Sequence, residues 1–375
     1  MFERFRVAKF RLTICTKDQI RFPAYKGAAF RGGFGYAFRR VVCVIKGKEC
    51  DEYLLKQKCI YSYIFETPPP EDAGMLRLYP KVPHPFVIEP PVTEKQTFAP
   101  GEEFSFHLIL IGNAIDYLPY FIYTFTELGK QGIGQGRGKY DLLQAEGMDL
   151  GNEAVQIYNH KDQTLTSRYP IIHAHQLNHQ PPTTSLPSYV GEKIAIHNQM
   201  PSPCEEEDFV VSVQPNDGEE VKNSAIISSC KREKETLKAD NHTNHLTISL
   251  LTPLRLRFDG HITDKIEFHV LIRNLLRRIS SLSYFHCGEK FQVDFKGLIE
   301  KAKAVNQIKS DIHWYDWKRY STRHEEWMSL GGVIGAVSYE GDLSNFMLFL
   351  RLGEYVHVGK GTSFGLGKYE VLEVI

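Results

Sequence analysis

Two stretches of this chain, more than two hundred residues apart, follow the same plan. Tyr120 to Gln144 reads YFIYTFTELGKQGIGQGRGKYDLLQ, and Phe346 to Val374 reads FMLFLRLGEYVHVGKGTSFGLGKYEVLEV. Each passes from an apolar helical run, through a glycine-rich loop, to Gly-Lys-Tyr, an acidic residue and a short apolar strand. Such a repeat predicts two copies of one α/β unit rather than a single large fold. In the first copy Leu118, Phe121, Ile122, Phe125 and Leu128 recur at i, i+3, i+4 spacing, one apolar stripe of a helix.

Each copy is supported upstream. Val7 to Ile14 alternates like a half-buried strand, and Tyr25 to Val42 then places Phe30, Phe34, Phe38 and Val41 on one helical face. In the second half, Leu246 to Arg257 reads as a strand. The helix after it carries Phe268, Leu271, Ile272, Leu275, Leu276, Ile279 and Leu282 on one stripe, with Arg273, Arg277 and Arg278 off it. Gly331 to Tyr339 and its surroundings supply a central hairpin. The order β-α-β-β-α-β is that of the ferredoxin-like, RRM-like unit. The expected fold class is therefore α+β, with two such domains in tandem and glycine-rich loops. The expected boundaries are 1–146 and 245–375. Between them, 147–244 is rich in Pro, Asn and charge clusters and reads as a connecting segment with an extension in which strand-like runs such as Phe209 to Val213 survive.

Lys plus Arg and Asp plus Glu both number 45, so no global field draws in a polyanion. A nucleic-acid partner would need its cations gathered into local patches. Seven cysteines, an odd number unevenly placed, do not form a secreted disulfide framework. The N-terminus lacks the apolar core of a signal peptide, and the longest apolar runs are too short to span a bilayer. A cytoplasmic protein without membrane partners is expected.

Four stretches carry a family resemblance. They are Gly359 to Tyr369 (GKGTSFGLGKY) preceded by His357, the loop LGKQGIGQGRGKY, the helix YKGAAFRGGFGYAFRR from Tyr25 to Arg40 with the cysteine-bearing segment after it, and WYDWKRYSTR from Trp314 to Arg323. Together they resemble the RAMP-superfamily endoribonucleases of CRISPR systems that cut precursor crRNA within its repeats. The resemblance implies repeat RNA as partner, CRISPR effector proteins as further candidates, and no cofactor. It also implies metal-independent cleavage, in which a ribose 2′-hydroxyl attacks the adjacent phosphate and leaves a 2′,3′-cyclic phosphate and a 5′-hydroxyl. The alternative is a non-catalytic RNA-binding RAMP subunit of an effector complex. A homodimer stays open.

The residues themselves allow several roles. Glycine loops let backbone N–H groups approach phosphate oxygens, so Gly359, Gly361, Gly365 and Gly367, with Lys360 and Lys368, form one candidate RNA contact. Lys130, Arg137 and Lys139 form a second. The alternative for both is close packing of helix on strand. Neither loop has the G-x4-G-K-[ST] spacing of a nucleotide-binding P-loop. Gly32, Gly33 and Gly35 each cost about 1 kcal/mol relative to Ala inside a helix, so a packed neighbour or a ligand must gain from bare backbone there. Arg31, Arg39 and Arg40 flank them. Arg319 and Arg323, with Tyr320 between, suit phosphate and base contact.

Internal attack needs a base, an acid and cationic donors, and histidine suits the first two roles. His357 leads, read as lying on a strand with Tyr355 on the same face. His286, at the end of the Arg-rich helix, follows. His269 reads as structural and His84 carries no special signal. Many relatives carry an acid/base histidine close after the first helix, whereas here none precedes His84; either His357 substitutes, or Tyr36, Tyr25, Lys26 or Lys46 helps through positioning and charge, or catalysis is weak. Cys43, Cys50 and Cys59 hold zinc only with a fourth ligand from elsewhere, since Tyr53 stands where a C-x2-C pair would end. No metal is expected; three small buried thiols is the favoured account.

Overall fold

The computed structural model describes residues 2–43, 50, 58–69, 82–179, 245–321 and 326–372, with backbone alone at 179, 318–321 and 326–328. They belong to one compact unit, Met1–Thr184 with His242–Ile375; the other unit, Ser185–Asn241, lies outside the described residues, as do the strand-like Phe209 to Val213, Lys46, Tyr53 and Arg323.

The first domain runs β1 (Arg6–Thr16), α1 (Gly27–Val42), β2 (Phe86–Glu89), β3 (Glu103–Ile111), α2 (Leu118–Gln131) and β4 (Tyr140–Met148). Its strands lie in the order β2-β3-β1-β4, all antiparallel neighbours. Alternation along β1 sends Ala8, Phe10, Leu12 and Ile14 into a core beneath the helices. That core is largely phenylalanine, with the Phe34 ring 5.1 Å from Phe121 and 4.6 Å from Phe125. Glycine makes this closeness feasible, since a Cβ on Gly35 would stand 2.9 Å from the Phe65 ring.

The second domain repeats the plan: β5 (His245–Leu254), α3 (Phe268–His286), an inserted α4 (Phe295–Lys303), β6 (Asn306–Tyr315), β7 (Gly332–Glu340), α5 (Met347–Val356) and β8 (Tyr369–Leu372). Its order, β6-β7-β5-β8, matches the first sheet strand for strand. The duplication extends to one hydrogen bond. The Tyr140 hydroxyl donates to the Phe125 carbonyl of α2 at 2.9 Å, and the Tyr369 hydroxyl donates to the Leu350 carbonyl of α5 at 2.7 Å. Gly129 and Gly353 make room for those rings. The shared Leu-Gly and Gly-Lys-Tyr of the sequence are therefore a helix–strand packing device.

Three expectations change. The first sheet continues past residue 146, because Ala154–Asn159 pairs with β4 and Ile172–His173 pairs with β1. The second and third strands of the second domain are Asn306–Tyr315 and Gly332–Glu340, joined through a separate hairpin of Lys318–Ser321 and Glu326–Ser329. Tyr355 lies in α5 and His357 caps that helix, so the two do not alternate on a strand. The domains share a core: Val7, Val87, Ile109 and Ile111 on the outward face of the first sheet join Leu276, Ile279 and Leu352 of the second domain in one apolar cluster. No helix among the described residues is long and apolar enough to cross a membrane.

Candidate nucleic-acid interface

The C-terminal glycine loop is built into the protein. The Gly367 N–H donates to the Pro253 carbonyl at 3.1 Å, and the Lys360 N–H to the Arg255 carbonyl at 3.0 Å. The Thr252 hydroxyl donates to the Gly365 carbonyl at 2.8 Å, and the Tyr25 hydroxyl to the Phe364 carbonyl at 2.8 Å. A Cβ on Gly365 would meet Pro90 and the Ile88 carbonyl, and one on Gly367 or Gly359 would collide with the Val358 or Arg255 carbonyl. These glycines, with Gly361 against Leu366, serve close approach of protein to protein; the phosphate-cradle expectation gives way to packing. Of the loop's cations, Lys360 alone stands in solvent.

Under this loop lies a buried cluster that ties the domains together. Glu89 ends β2 and is itself buried. One of its oxygens lies 2.9 Å from His357 Nε2, and the other accepts from Lys368 Nζ at 3.0 Å. His107 on the adjacent strand lies 3.6 Å away. Burial pushes the Glu89 carboxyl up, but Lys368, Lys9 and the His357 contact together hold it well below the ordinary carboxylate range. Burial lowers the His357 pKa against the opposing pull of Glu89. His357 Nδ1 donates to the Leu366 carbonyl at 3.1 Å, so both ring nitrogens are committed. The residue is 0% exposed and holds φ at +59°, a left-handed conformation sustained by these contacts. Enclosed with both nitrogens engaged, the ring presents no solvent-facing nitrogen for the acid/base role expected of it.

His286 is placed similarly. Its Nε2 donates to the Pro83 carbonyl at 2.8 Å and its Nδ1 accepts from the Tyr63 hydroxyl at 3.2 Å. Burial lowers its pKa to about 4, so the ring is neutral and enclosed at ordinary pH. It is an interdomain packing group, not a substrate-facing acid. Tyr25 and Lys26 are also spoken for: Tyr25 holds Phe364, and the buried Lys26 donates to the Thr93 carbonyl at 2.6 Å.

The outward face of α1 differs. Gly32, Tyr36, Arg39 and Arg40 are exposed at i, i+4, i+7 and i+8, with Tyr36 62% exposed. Arg40 lies over the Tyr36 ring at 5.9 Å, and Arg39 over Tyr61 at 5.7 Å. Gly33 and Gly35 have packing reasons, against Leu128 and Phe65, but a Cβ on Gly32 would meet nothing within 4 Å. Arg31 points elsewhere, its guanidinium 4.9 Å from the Phe65 ring and 5.0 Å from Phe364, with Nη2 3.1 Å from His84.

The N-terminal loop anchors its ends and frees its tip. Gln135 N–H donates to the Arg21 carbonyl at 2.8 Å and Lys139 N–H to Asp18 at 3.1 Å, while Gln135, Gly136, Arg137 and Lys139 are exposed. Lys130 is exposed and paired with Glu127 at 2.6 Å. Arg319 lies in the strand Lys318–Ser321, where the backbone alone is described. Cys43, Cys50 and Cys59 form no disulfide and are half-buried rather than buried. Among the described residues no group of three or more His, Cys, Asp or Glu is arranged to hold a metal ion. Sequence reasoning missed Glu89; a lone carboxylate closing the apolar strand FVIE was its signal.

The tandem ferredoxin-like fold is shared with solved structures. A Cas6 product complex superposes with a TM-score of 0.50 at 12% identity, covering 98% of this chain and 100% of that one. A partial Cas6-RT-Cas1–Cas2 complex gives 0.51 at 10% identity, covering 99% of this chain and 46% of that one. At these identities the likeness concerns the fold. A family described as an N-terminal domain matches residues 5–170, and the family of CRISPR-associated endoribonuclease Cas6 matches residues 248–369. The second domain is thus similar to the CRISPR-associated Cas6 endoribonucleases, the group to which the sequence motifs pointed. A protein of Archaeoglobus fulgidus described as uncharacterized is 28% identical over 135 residues, which make up 36% of this chain and 44% of that protein. The matched stretch therefore spans less than half the length of that curated relative.

Proposed function

We propose that this chain cuts precursor crRNA within CRISPR repeats, and that the outward face of α1 holds the scissile phosphate. The observation that carries this is Gly32, a helix-interior glycine with open space before it, flanked on the same face by Tyr36, Arg39 and Arg40. Among the described residues nothing gains from its bare backbone, whereas an RNA backbone lying close against the helix would. The ribose 2′-hydroxyl gives up its proton to water as O2′ bonds to phosphorus and the P–O5′ bond breaks, leaving a 2′,3′-cyclic phosphate, and O5′ takes up a proton from water to become the 5′-hydroxyl. Tyr36 is suited to hydrogen-bond and orient the 2′-hydroxyl, and Arg39 and Arg40 to offset the charge gathering on the phosphorane. No metal enters the scheme. Lys46, expected to help, lies outside the described residues.

End-labelled repeat RNA incubated with the protein in EDTA tests this. Cutting to a cyclic phosphate, slowed on the order of a hundredfold by removing both arginines (Arg39→Ala with Arg40→Ala), supports the reading. Metal-dependent cutting, or cutting unaffected by these changes, overturns it.

A second reading is favoured by one specific observation. His357 and His286 are both enclosed, and no histidine stands on the α1 face among the described residues. A RAMP subunit that grips repeat RNA without cutting would look the same, and would give binding without product in that assay.

A further inference from the structure

Among the described residues three tyrosines are strongly exposed, and all three lie on the helical layer of the first domain: Tyr36 at 62%, Tyr120 at 41% and Tyr123 at 55%. The inner stripe of α2 is apolar, as its core demands, but nothing in the fold demands rings on its outer side, where charged residues ordinarily sit. Tyr120 and Tyr123, at i and i+3, are neighbours on the helix surface. Half-buried Tyr117 extends the row, its ring 6.3 Å from Tyr120, and continues to Tyr63 at 5.7 Å.

The two helices run antiparallel, because Phe34 meets Phe125 while Phe38 meets Phe121. The end of α1 that bears Tyr36, Arg39 and Arg40 therefore lies beside the start of α2 that bears Tyr117 and Tyr120. The ring-bearing start of one helix and the cation-bearing end of the other lie at the same end of one helical layer. We infer that this tyrosine row is a base-stacking platform for single-stranded RNA, receiving unpaired nucleotides that flank the phosphate held at α1. Phenol rings offer a π-face to any base while the hydroxyl stays in water, and the adjacent arginines supply the backbone charge. The inference rests on the α1 reading, and it adds a second, sequence-tolerant subsite that reads bases rather than phosphates.

Fluorescence anisotropy with a labelled 12-nucleotide oligouridylate tests it. A matching oligomer of abasic ribose units, with equal phosphate charge and no bases, is measured alongside. Removing both rings (Tyr120→Ala with Tyr123→Ala) is expected to weaken oligouridylate on the order of a hundredfold, about tenfold per ring. Tyr120→Phe with Tyr123→Phe should bind as the native chain does. Abasic binding should be indifferent to either change, which separates a loss of stacking from a loss of folding. The platform is overturned if the alanine pair leaves oligouridylate affinity unchanged, or weakens both oligomers equally. Arg39→Ala with Arg40→Ala reports on the α1 reading separately: if it reduces binding of both oligomers while the tyrosine changes do nothing, α1 stands and the platform falls. If the native chain binds neither oligomer, both fall.

Discussion

Lys139 and Lys368 hold the same place in the two repeats, between the last glycine of the loop and the tyrosine that opens the final strand. Lys139 stands in solvent, whereas Lys368 is half-buried against Glu89. Both tyrosines pack on a helix glycine and bond the helix backbone in the same way. The divergence comes from what each loop faces. The N-terminal loop bonds within its own domain, to the Arg21 carbonyl and Asp18 after the first strand, and its tip is exposed. The C-terminal loop meets β2 of the other domain and is closed over a carboxylate. A glycine-rich loop is thus a packing device first. Whether it also reaches a ligand depends on whether another element arrives to cover it.

Removing that carboxylate should have the largest effect. Glu89→Ala leaves Lys368 and His357 enclosed without their acceptor, and breaking a buried pair from one side costs about 3–5 kcal/mol. A urea midpoint lowered to match is expected. A shift no larger than that of a surface substitution would show that water satisfies the cluster. Glycine exchange sharpens the contrast. Gly367 and Gly136 both hold φ above +70°, so alanine at either strains the backbone by roughly 1–2 kcal/mol. Only at Gly367 does the added methyl also collide with a carbonyl, while Gly136 faces open space. Gly367→Ala should therefore destabilise well beyond Gly136→Ala; equal losses would mean the C-terminal loop shifts freely.

The doubled architecture was legible because it is written locally. The stripe Leu118, Phe121, Ile122, Phe125, Leu128 and the alternation through β1 each encode an element, and two copies in the same order encode the fold. The candidate site was legible only in part. Tyr36, Arg39 and Arg40 share a face by helical spacing alone, so periodicity found them. The burial of His357 depends on Glu89, 268 positions away, and on β2 docking against the loop. No local pattern carries that. The same holds for His286, whose partners Pro83 and Tyr63 come from the other domain. Taking His357 for a strand residue compounded the error, since α5 runs through Val356.

The interdomain histidines also predict a pH dependence confined to the sealed side of the molecule. The His286 pKa of about 4 lies below the free value near 6.5, so the unfolded chain binds the proton more readily. Stability from this group is complete above pH 6.5 and is lost progressively as pH falls toward 4. Between pH 7.5 and 5 the loss is about 2 kcal/mol. Urea midpoints at the two pH values should differ accordingly, and His286→Gln should flatten the difference. If the variant keeps the native pH slope, the titration belongs to other groups.

The smallest effect on stability should come from the open loop. Arg137 and Lys139 are exposed, so replacing both with alanine should move the urea midpoint by no more than about 0.5 kcal/mol. If they touch RNA phosphates, the change appears instead in binding. For single strands, each phosphate left without its cation reduces the slope of log affinity against log salt by about 0.7, so the pair should flatten it by about 1.4. Lys368→Ala should do the reverse, lowering stability by uncovering Glu89 while leaving the slope alone, because its charge already faces a carboxylate. The two measurements together test the comparison itself. A slope change at Lys368, or a stability loss at Arg137 and Lys139, would mean that sealed and open do not describe how these loops meet a polyanion.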